Sequence, residues 1–447
     1  MEAYMDIVIK RDYYLNKLIM RKHNGLIKIV TGIRRCGKSF LLRTLFKDHL
    51  MNNGVDEGHI IEMAFDLYSN KKFCDPEVLE PWIREHIVDS ERYYLLFDEV
   101  QLLRDFESVL NEFADMKNVD VYVTGSNAKF LSKDIITEFG GRGDEVHMYP
   151  LSFSEFMSVY NGNRYDGWNE YITYGGIPLV VLADSEEQKV DILQNLFAET
   201  YLRDISQRYR IKNLEEMNSL LDILSSAIGS LTNPNKLVNT FKTVKKSKIT
   251  QQTVARYLEH LEDSYLIESA QRYDIKGKAY LETPLKYYFM DLGLRNCRLN
   301  FRQNELPHSM ENVIYIELRM RGFSVDVGNV TVSEKNKNGQ AERRQLEVDF
   351  VCNKGSKRYY IQSAYRMDSK EKSDQEQRPL LKIDDNFRKI IITSDTPKPA
   401  YNEEGILIMN VYDFLLNPEY MLKSSLLVLD PLKPSTGRSI YFCDVIS

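Results

Sequence analysis

The 447-residue chain has little of what would place it in a membrane, a disulfide framework or a generally nucleic-acid-coating protein. Its five cysteines (Cys36, Cys74, Cys297, Cys352 and Cys443) are scattered, with no C-x-x-C pair and no histidine at metal-ligand spacing, which argues against a zinc ribbon or a cystine scaffold. No run approaches the ~20 apolar residues that span a bilayer, and residues 1–10 carry Glu2 and Asp6 without a long apolar core, so the expected location is the cytoplasm. The net charge is −6; there is no overall basic footprint, and any contact with nucleic acid must come from a local patch. Internal repeats and low-complexity tracts are also missing. What remains is an ordinary globular composition, long enough for two to four domains.

What is present begins at Gly32-Ile33-Arg34-Arg35-Cys36-Gly37-Lys38-Ser39, which fits G-x-x-x-x-G-K-[ST] between an apolar run, residues 26–30, and a helical pattern opening at Phe40. Glycines let the backbone curl until successive N–H groups point inward, and the first helical turn adds its own unpaired N–H groups and positive dipole end. Residues 32–40 therefore read as a phosphate cradle for a nucleotide such as ATP. Lys38 would reach the β- and γ-phosphates, and Ser39 would hold the accompanying Mg²⁺.

Residues 59–65, 93–97 and 119–124 read as strands, the continuous apolar run at 93–97 as one buried on both faces, after a short helical lead-in with Tyr14, Leu15, Leu18 and Ile19 on one side. The run at 93–97 ends in Asp98-Glu99, the position where open α/β sheets bind ligands. Asp98 is expected on the metal, and Glu99 on the water that attacks the γ-phosphate; an acidic strand-end turn is the plainer alternative. Beyond residue 124, Asn127 is preferred to Ser126 or Thr124 as the residue that orients this water, although turn geometry or a helix N-cap would equally use an asparagine. Arg142, in the loop Gly140-Gly141-Arg142-Gly143-Asp144, is a candidate to reach developing phosphate charge in cis or in trans, against a simply solvated arginine.

The texture divides the chain into a P-loop unit with a parallel sheet (1–150), a helical lid or connector (151–215), a winged-helix unit (216–300), a restriction-endonuclease-like α/β unit (301–417) and an unassigned tail (418–447). Residues 248–261, followed by Leu266-Ile267 and the strand-like residues 278–281, fit a helix-turn-helix plus a β-wing, with Lys242, Lys245, Lys246, Lys248 and Arg256 as a local basic group for DNA. Winged helices also serve as protein contacts. In the last large unit, Glu311 on a helix, Asp349 in a strand and Gln362 in the next resemble the Mg²⁺-binding layout of restriction-endonuclease-like folds. The lysine expected two residues after Gln362 is Ala364, which cannot stabilise phosphate charge, so either Arg366 substitutes or the fold is kept without cleavage.

The cradle, together with Leu96-Phe97-Asp98-Glu99-Val100-Gln101, Thr124-Gly125-Ser126-Asn127, Tyr149-Pro150-Leu151-Ser152-Phe153, Tyr174-Gly175-Gly176-Ile177-Pro178, residues 286–295 and Glu311-Asn312, resembles the prokaryotic ATPases that join an AAA-type domain (AAA_14) to a DUF4143 domain. This resemblance implies an additional-strand P-loop core, a winged helix and a nuclease-like C-terminal fold. It makes residues 32–39 Walker A, Asp98 and Glu99 Walker B, Asn127 a sensor and Arg142 an arginine finger. The expected activity is Mg²⁺-dependent ATP hydrolysis that moves the C-terminal units, with DNA as one partner and oligomerisation open. The competing expectations are a nucleotide-gated protein-binding switch with little turnover, and an active metal-dependent nuclease.

Overall fold

Tyr14 and Leu18 form the buried face of α1 (Asp12–Met20), which leads into β1 (Ile27–Thr31), every residue of which is buried. The computed structural model describes residues 8–125, 139, 141–245, 249–302, 305–335 and 340–421. After β1 the chain runs through a long helix α2 (residues 38–52), whose middle, Leu41–Phe46, is wound as a π-helix. It continues into β2 (Ile60–Ala64), α3 (Pro76–His86), β3 (Tyr93–Asp98), α4 (Phe106–Ala114), β4 (Val119–Thr124) and β5 (Gly143–His147). Asp75 caps α3 by accepting the Glu77 N–H at 3.1 Å, and Pro76 takes the first helical position, where no amide hydrogen is needed.

The five strands make one parallel sheet in the order β2-β3-β4-β1-β5. The strand bearing the carboxylates is thus separated from the strand bearing the cradle by an inserted neighbour, β4, as an additional-strand core requires. Apolar side chains alternate between two cores. Ile29, Leu95, Phe97 and Phe113 fill one face, while Val30, Leu42, Phe46 and Leu96 fill the other. Sequence periodicity placed residues 140–144 in a loop, but Gly143–His147 is the edge strand. Only Val146 in it is buried, so no apolar run announces it.

Two polar residues sit inside this sheet at its N-terminal end. Lys28 forms an ion pair with Asp120, which also accepts from the Tyr122 hydroxyl at 2.9 Å and the His23 N–H at 3.0 Å. Burial pulls the Lys28 ammonium below the ordinary lysine range, and Asp120 opposes that pull.

The helical connector comprises α5 (Phe153–Met157), α6 (Arg164–Tyr174), α7 (Pro178–Val181) and α8 (residues 186–208). Ser152 and Glu155 form a reciprocal capping box on α5, and Glu155 also pairs with Arg11 at 2.9 Å. Next come α9 (Leu214–Ser226), α10 (Pro234–Thr240), α11 (Gln251–Asp263) and the hairpin β6 (Ile267–Asp274) with β7 (Ala279–Phe289). Three helices and a hairpin are the elements a winged helix uses. The hairpin is nevertheless no free wing: β6 runs parallel to β8 (Ser324–Lys335), pairing Arg272 with Val327 and Tyr273 with Gly328.

The boundary expected at residue 300 therefore cuts through a single eight-stranded mixed sheet, ordered β12-β13-β11-β10-β9-β8-β6-β7. Its remaining strands are β9 (Ala341–Lys354), β10 (Lys357–Ala364), β11 (Arg388–Thr393), β12 (Ala400–Tyr401) and β13 (Leu407–Asn410). Helices α12 (Leu292–Arg298), α13 (Leu306–Met320), α14 (Lys370–Leu381) and α15 (Val411–Leu416) complete it. One apolar cluster runs from Val30 through Phe153, Leu220 and Leu258 to Ile314 and Ile361, so all the expected units share a core. Among the described residues no helix is long and apolar enough to cross a membrane.

Replacing Asp120 with alanine would leave the Lys28 ammonium buried without its partner. Chemical denaturation is expected to register a loss of about 3–5 kcal/mol.

Candidate active site: a phosphate cradle and its carboxylates

The cradle's backbone carries the strain that its shape demands. Gly32 has φ 137°, and a Cβ there would lie 2.0 Å from the Met148 carbonyl oxygen, so no other residue fits. Gly37 at φ 102° and Arg35 at φ 65° complete the curl. Arg11 braces the loop from behind: its guanidinium donates to the Cys36 carbonyl at 3.0 Å and to the Tyr149 carbonyl at 2.7 Å. Lys38, 5% exposed, folds back onto the loop and donates to the Gly32 and Ile33 carbonyls at 2.9 and 3.0 Å.

The Ser39 hydroxyl donates to Asp98 Oδ1 at 3.0 Å, which joins the start of α2 to the end of β3 across the position of β4. Thr124, the last residue of β4, fills the gap. Its hydroxyl donates to the same Asp98 oxygen and accepts the Glu99 N–H at 3.1 Å. Burial raises the Asp98 carboxyl above the usual carboxylate range; the Thr124 and Ser39 hydroxyls pull it down, Glu99 pushes it further up, and Arg43 counters. Glu99 adopts a left-handed conformation, φ 52°, and accepts from the Gln101 side-chain amide. Sequence reasoning passed over Thr124 in favour of Asn127; the signal that could have found it is a hydroxyl residue ending the strand inserted between cradle and carboxylates.

Lys38, Ser39 and Glu99 open on a cavity of about 840 Å³. Arg34, Lys38, Ser39, Asp66 and Glu99 contribute its polar lining, and Ile9, Phe40, Leu151, Pro178, Leu179 and Leu182 an apolar flank drawn partly from α7 in the connector. The connector also grips the loop directly, for Asp204 pairs with Arg34 at 3.1 Å.

Asn127 lies outside the described residues. Arg142 is described and lies elsewhere: its carbonyl accepts the Ile27 N–H at the N-terminal edge of the sheet, and its guanidinium pairs with Asp115 at 2.6 Å. The length of β1 separates it from the cradle by roughly 15 Å, at about 3.3 Å per residue, so Arg142 does not serve the same chain's cradle. The glycine-flanked loop that suggested a swinging arginine is the entry to edge strand β5. Of the basic residues offered to DNA, Lys242 and Arg256 are exposed, Lys245 ends a helical stretch, and Lys246 and Lys248 lie outside the described residues. Thr250 is the N-cap of α11 and accepts the Thr253 N–H at 3.2 Å.

The second constellation does assemble. Glu311 on α13, Asp349 on β9 and Gln362 on β10 come together, each at most 9% exposed. Gln362 Oε1 accepts the Asp349 N–H at 3.4 Å, and Gln362 Nε2 donates to Glu376 at 3.2 Å. At the centre stands a residue that sequence reasoning did not connect with them: Lys286 of β7 places its ammonium 2.8 Å from Glu311, 2.7 Å from Glu347 and 3.5 Å from Asp349. Burial works to raise the Glu311 carboxyl, yet Lys286 and the His308 and Tyr288 donors hold it below the usual range; burial and Glu311 push Asp349 above it. Ala364 is packed in an apolar cluster with Tyr360 and Leu380, and the exposed Arg366 sits over the Tyr365 ring, so neither supplies the expected cation.

Parallel sheet, inserted strand, cradle and facing carboxylates define a P-loop protein, and residues 24–157 match the family model of the AAA domain AAA_14. An uncharacterized protein of Haemophilus influenzae is 34% identical over 415 residues, covering 92% of this chain and 99% of its own length. The uncharacterized protein MJ1544 of Methanocaldococcus jannaschii is 30% identical over 427 residues, covering 91% and 88%. The chain belongs to the family of these two proteins. Residues 165–305 match a domain of unknown function, DUF8612, where the resemblance had implied DUF4143. Among solved structures, the Walker-type ATPase PABY2304 of Pyrococcus abyssi is similar over 65% of this chain and 96% of its own, at 17% identity and a TM-score of 0.47.

Thr124→Val removes one of the two hydroxyl donors to a buried carboxylate; thermal or chemical denaturation is expected to report about 1–3 kcal/mol lost. Arg142→Ala, by contrast, removes an exposed ion pair with Asp115, and the same measurement is expected to report a change within about 0.5 kcal/mol.

Proposed function

We propose that the chain is a Mg²⁺-dependent ATPase that uses the nucleotide cycle to move its connector and C-terminal sheet. The observation that carries this reading is the placement of Lys38, Ser39 and Glu99 around one cavity large enough for a nucleoside triphosphate, with Asp98 hydrogen-bonded to Ser39 behind its wall. Ser39 and Asp98 fit a Mg²⁺: a hydroxyl on the cavity wall and the carboxylate it hydrogen-bonds to are both hard oxygen donors. When bound with the nucleotide, the ion would neutralise phosphate charge.

The protein's own groups supply the rest. The cradle N–H groups bind the phosphate chain, and Lys38 exchanges the Gly32 and Ile33 carbonyls for phosphate oxygens. Glu99 accepts a hydrogen bond from water and orients it for in-line attack. The water oxygen bonds to the γ-phosphorus, the bond from that phosphorus to the bridging oxygen breaks, and the water's proton leaves toward Glu99. Thr124 fixes the Asp98 carboxylate and the Glu99 backbone together, so metal and water positions are set by one hydroxyl. The route to movement is supported by α7, which walls the cavity through Pro178 and Leu179, and by the Arg34–Asp204 ion pair.

Lys38→Ala is expected to abolish binding of a fluorescent ATP analogue. Glu99→Gln is expected to keep binding and lower turnover by about a hundredfold or more, as for loss of a positioned base. Hydrolysis retained in both variants would overturn the reading. Steady-state hydrolysis with and without duplex DNA assigns the partner: stimulation that fades steeply as salt rises marks DNA, and no stimulation at low salt marks a protein.

A further inference from the structure

The carboxylate centre of the C-terminal sheet has the residue types of a divalent-metal site and a layout resembling one, yet its donors are already committed. Glu311 Oε1 accepts from Lys286 at 2.8 Å and from the Tyr288 hydroxyl at 2.7 Å. Asp349 Oδ2 accepts the Ser363 N–H at 2.8 Å, and Asp349 Oδ1 faces Lys286. The side-chain oxygen of Gln362 is turned onto the Asp349 backbone rather than toward the carboxylates. Among the described residues no set of three histidine, cysteine or acidic side chains is arranged to hold a metal ion. A Mg²⁺ also demands near-octahedral oxygen ligation at about 2.1 Å, and the space between these carboxylates is taken by an ammonium group.

A second observation concerns the neighbour of Glu311. Asn312 pairs with the backbone of Phe289 twice, accepting its N–H and donating to its carbonyl, both at 2.8 Å. Phe289 is three residues beyond Lys286 on the same strand. Adjacent residues of α13 therefore grip β7 by two unlike means, a charge contact and a backbone-mimicking amide, and the second has no role in metal chemistry.

We propose that Lys286 is a built-in cation standing where a divalent ion would be held, and that the Glu311–Asp349 centre is a metal-independent clamp fastening β7 to α13 and β9. The three carboxylates around Lys286 come from α13 and β9, so one side chain ties three elements that are remote in sequence. The centre is a joint rather than a cleavage site, because Ala364 and Arg366 supply no cation to an attacked phosphate and the space among the carboxylates is filled by the Lys286 ammonium, which is bonded to all three.

The test is Mn²⁺ titration of the full chain without nucleotide, followed by electron paramagnetic resonance, together with melting temperatures with and without Mn²⁺. Wild type is expected to take up no Mn²⁺ that Asp349→Asn removes, and to melt at the same temperature with Mn²⁺ or with a chelator. Lys286→Met is expected to melt lower, to bind Mn²⁺ at least about tenfold more tightly than wild type, and to regain melting temperature as the ion replaces the lost ammonium. Uptake of Mn²⁺ by nucleotide-free wild type that Asp349→Asn abolishes and Ser39→Ala does not would overturn the proposal. So would a folded Lys286→Met chain with no gain in Mn²⁺ affinity. If Lys286→Met does not fold, the wild-type and Asp349→Asn titrations decide by themselves.

Discussion

A carboxylate buried at the end of a central strand has to find hydrogen-bond donors, and the placement of Asp98 organises the first half of the molecule. Its donors, Ser39 and Thr124, come from the segments that follow β1 and end β4. Thr124 reaches it because β4 lies beside β3, so the inserted strand supplies one of the two hydroxyls that satisfy this group. The cradle, Asp98 and Glu99 then fall on one end of the sheet. Lys28 and Asp120 impose the equivalent condition on the other end, where a buried charge pair joins β1 to β4. Two polar anchors, one at each end, fix register in strands whose apolar middles would tolerate slippage.

The sequence was most readable where burial is two-sided. Continuous apolar runs announced β1 to β4, and the spacing of glycines, lysine and serine announced the loop between β1 and α2. Strand β5 was not readable because an edge strand with one buried residue carries no such run, and that omission misplaced Arg142: a glycine-flanked arginine looks mobile until the strand beside it is known. Asn127 is preferred to Thr124 on sequence alone because the value of Thr124 depends on a neighbour, Asp98, fixed only by topology. Lys286 was invisible for a stronger reason. It meets Glu311, Glu347 and Asp349 across separations that no local pattern encodes, and its own context, an apolar strand, says nothing of the acidic centre it enters.

The two centres are linked by a short run of chain. Five residues after Lys286, the Asp291 carboxylate accepts the Gly176 N–H at 2.7 Å and caps α12 by accepting the Leu294 N–H at 3.1 Å. Burial lifts that carboxyl to about 6, against the backbone N–H donors that favour its charge. The contact is close enough that a Cβ on Gly175 would lie 2.2 Å from the Asp291 oxygen, and a Cβ on Gly293 would lie 2.0 Å from the Tyr174 carbonyl. Two residues beyond Gly176, α7 begins and faces the nucleotide cavity. The glycines of this turn are therefore fitted to the C-terminal sheet, while their immediate successors are fitted to the cradle.

The contact between Gly32 and the Met148 carbonyl makes the first glycine of the cradle part of a mechanical seam. Met148 lies immediately after β5 on the stretch that leads into the connector, so any side chain at position 32 would wedge the connector away from the sheet before a nucleotide is involved. A genetic screen would consequently score Gly32 variants as unstable chains rather than as silent enzymes. Loss of phosphate chemistry with the architecture preserved would have to be sought at residues whose side chains project into the cavity.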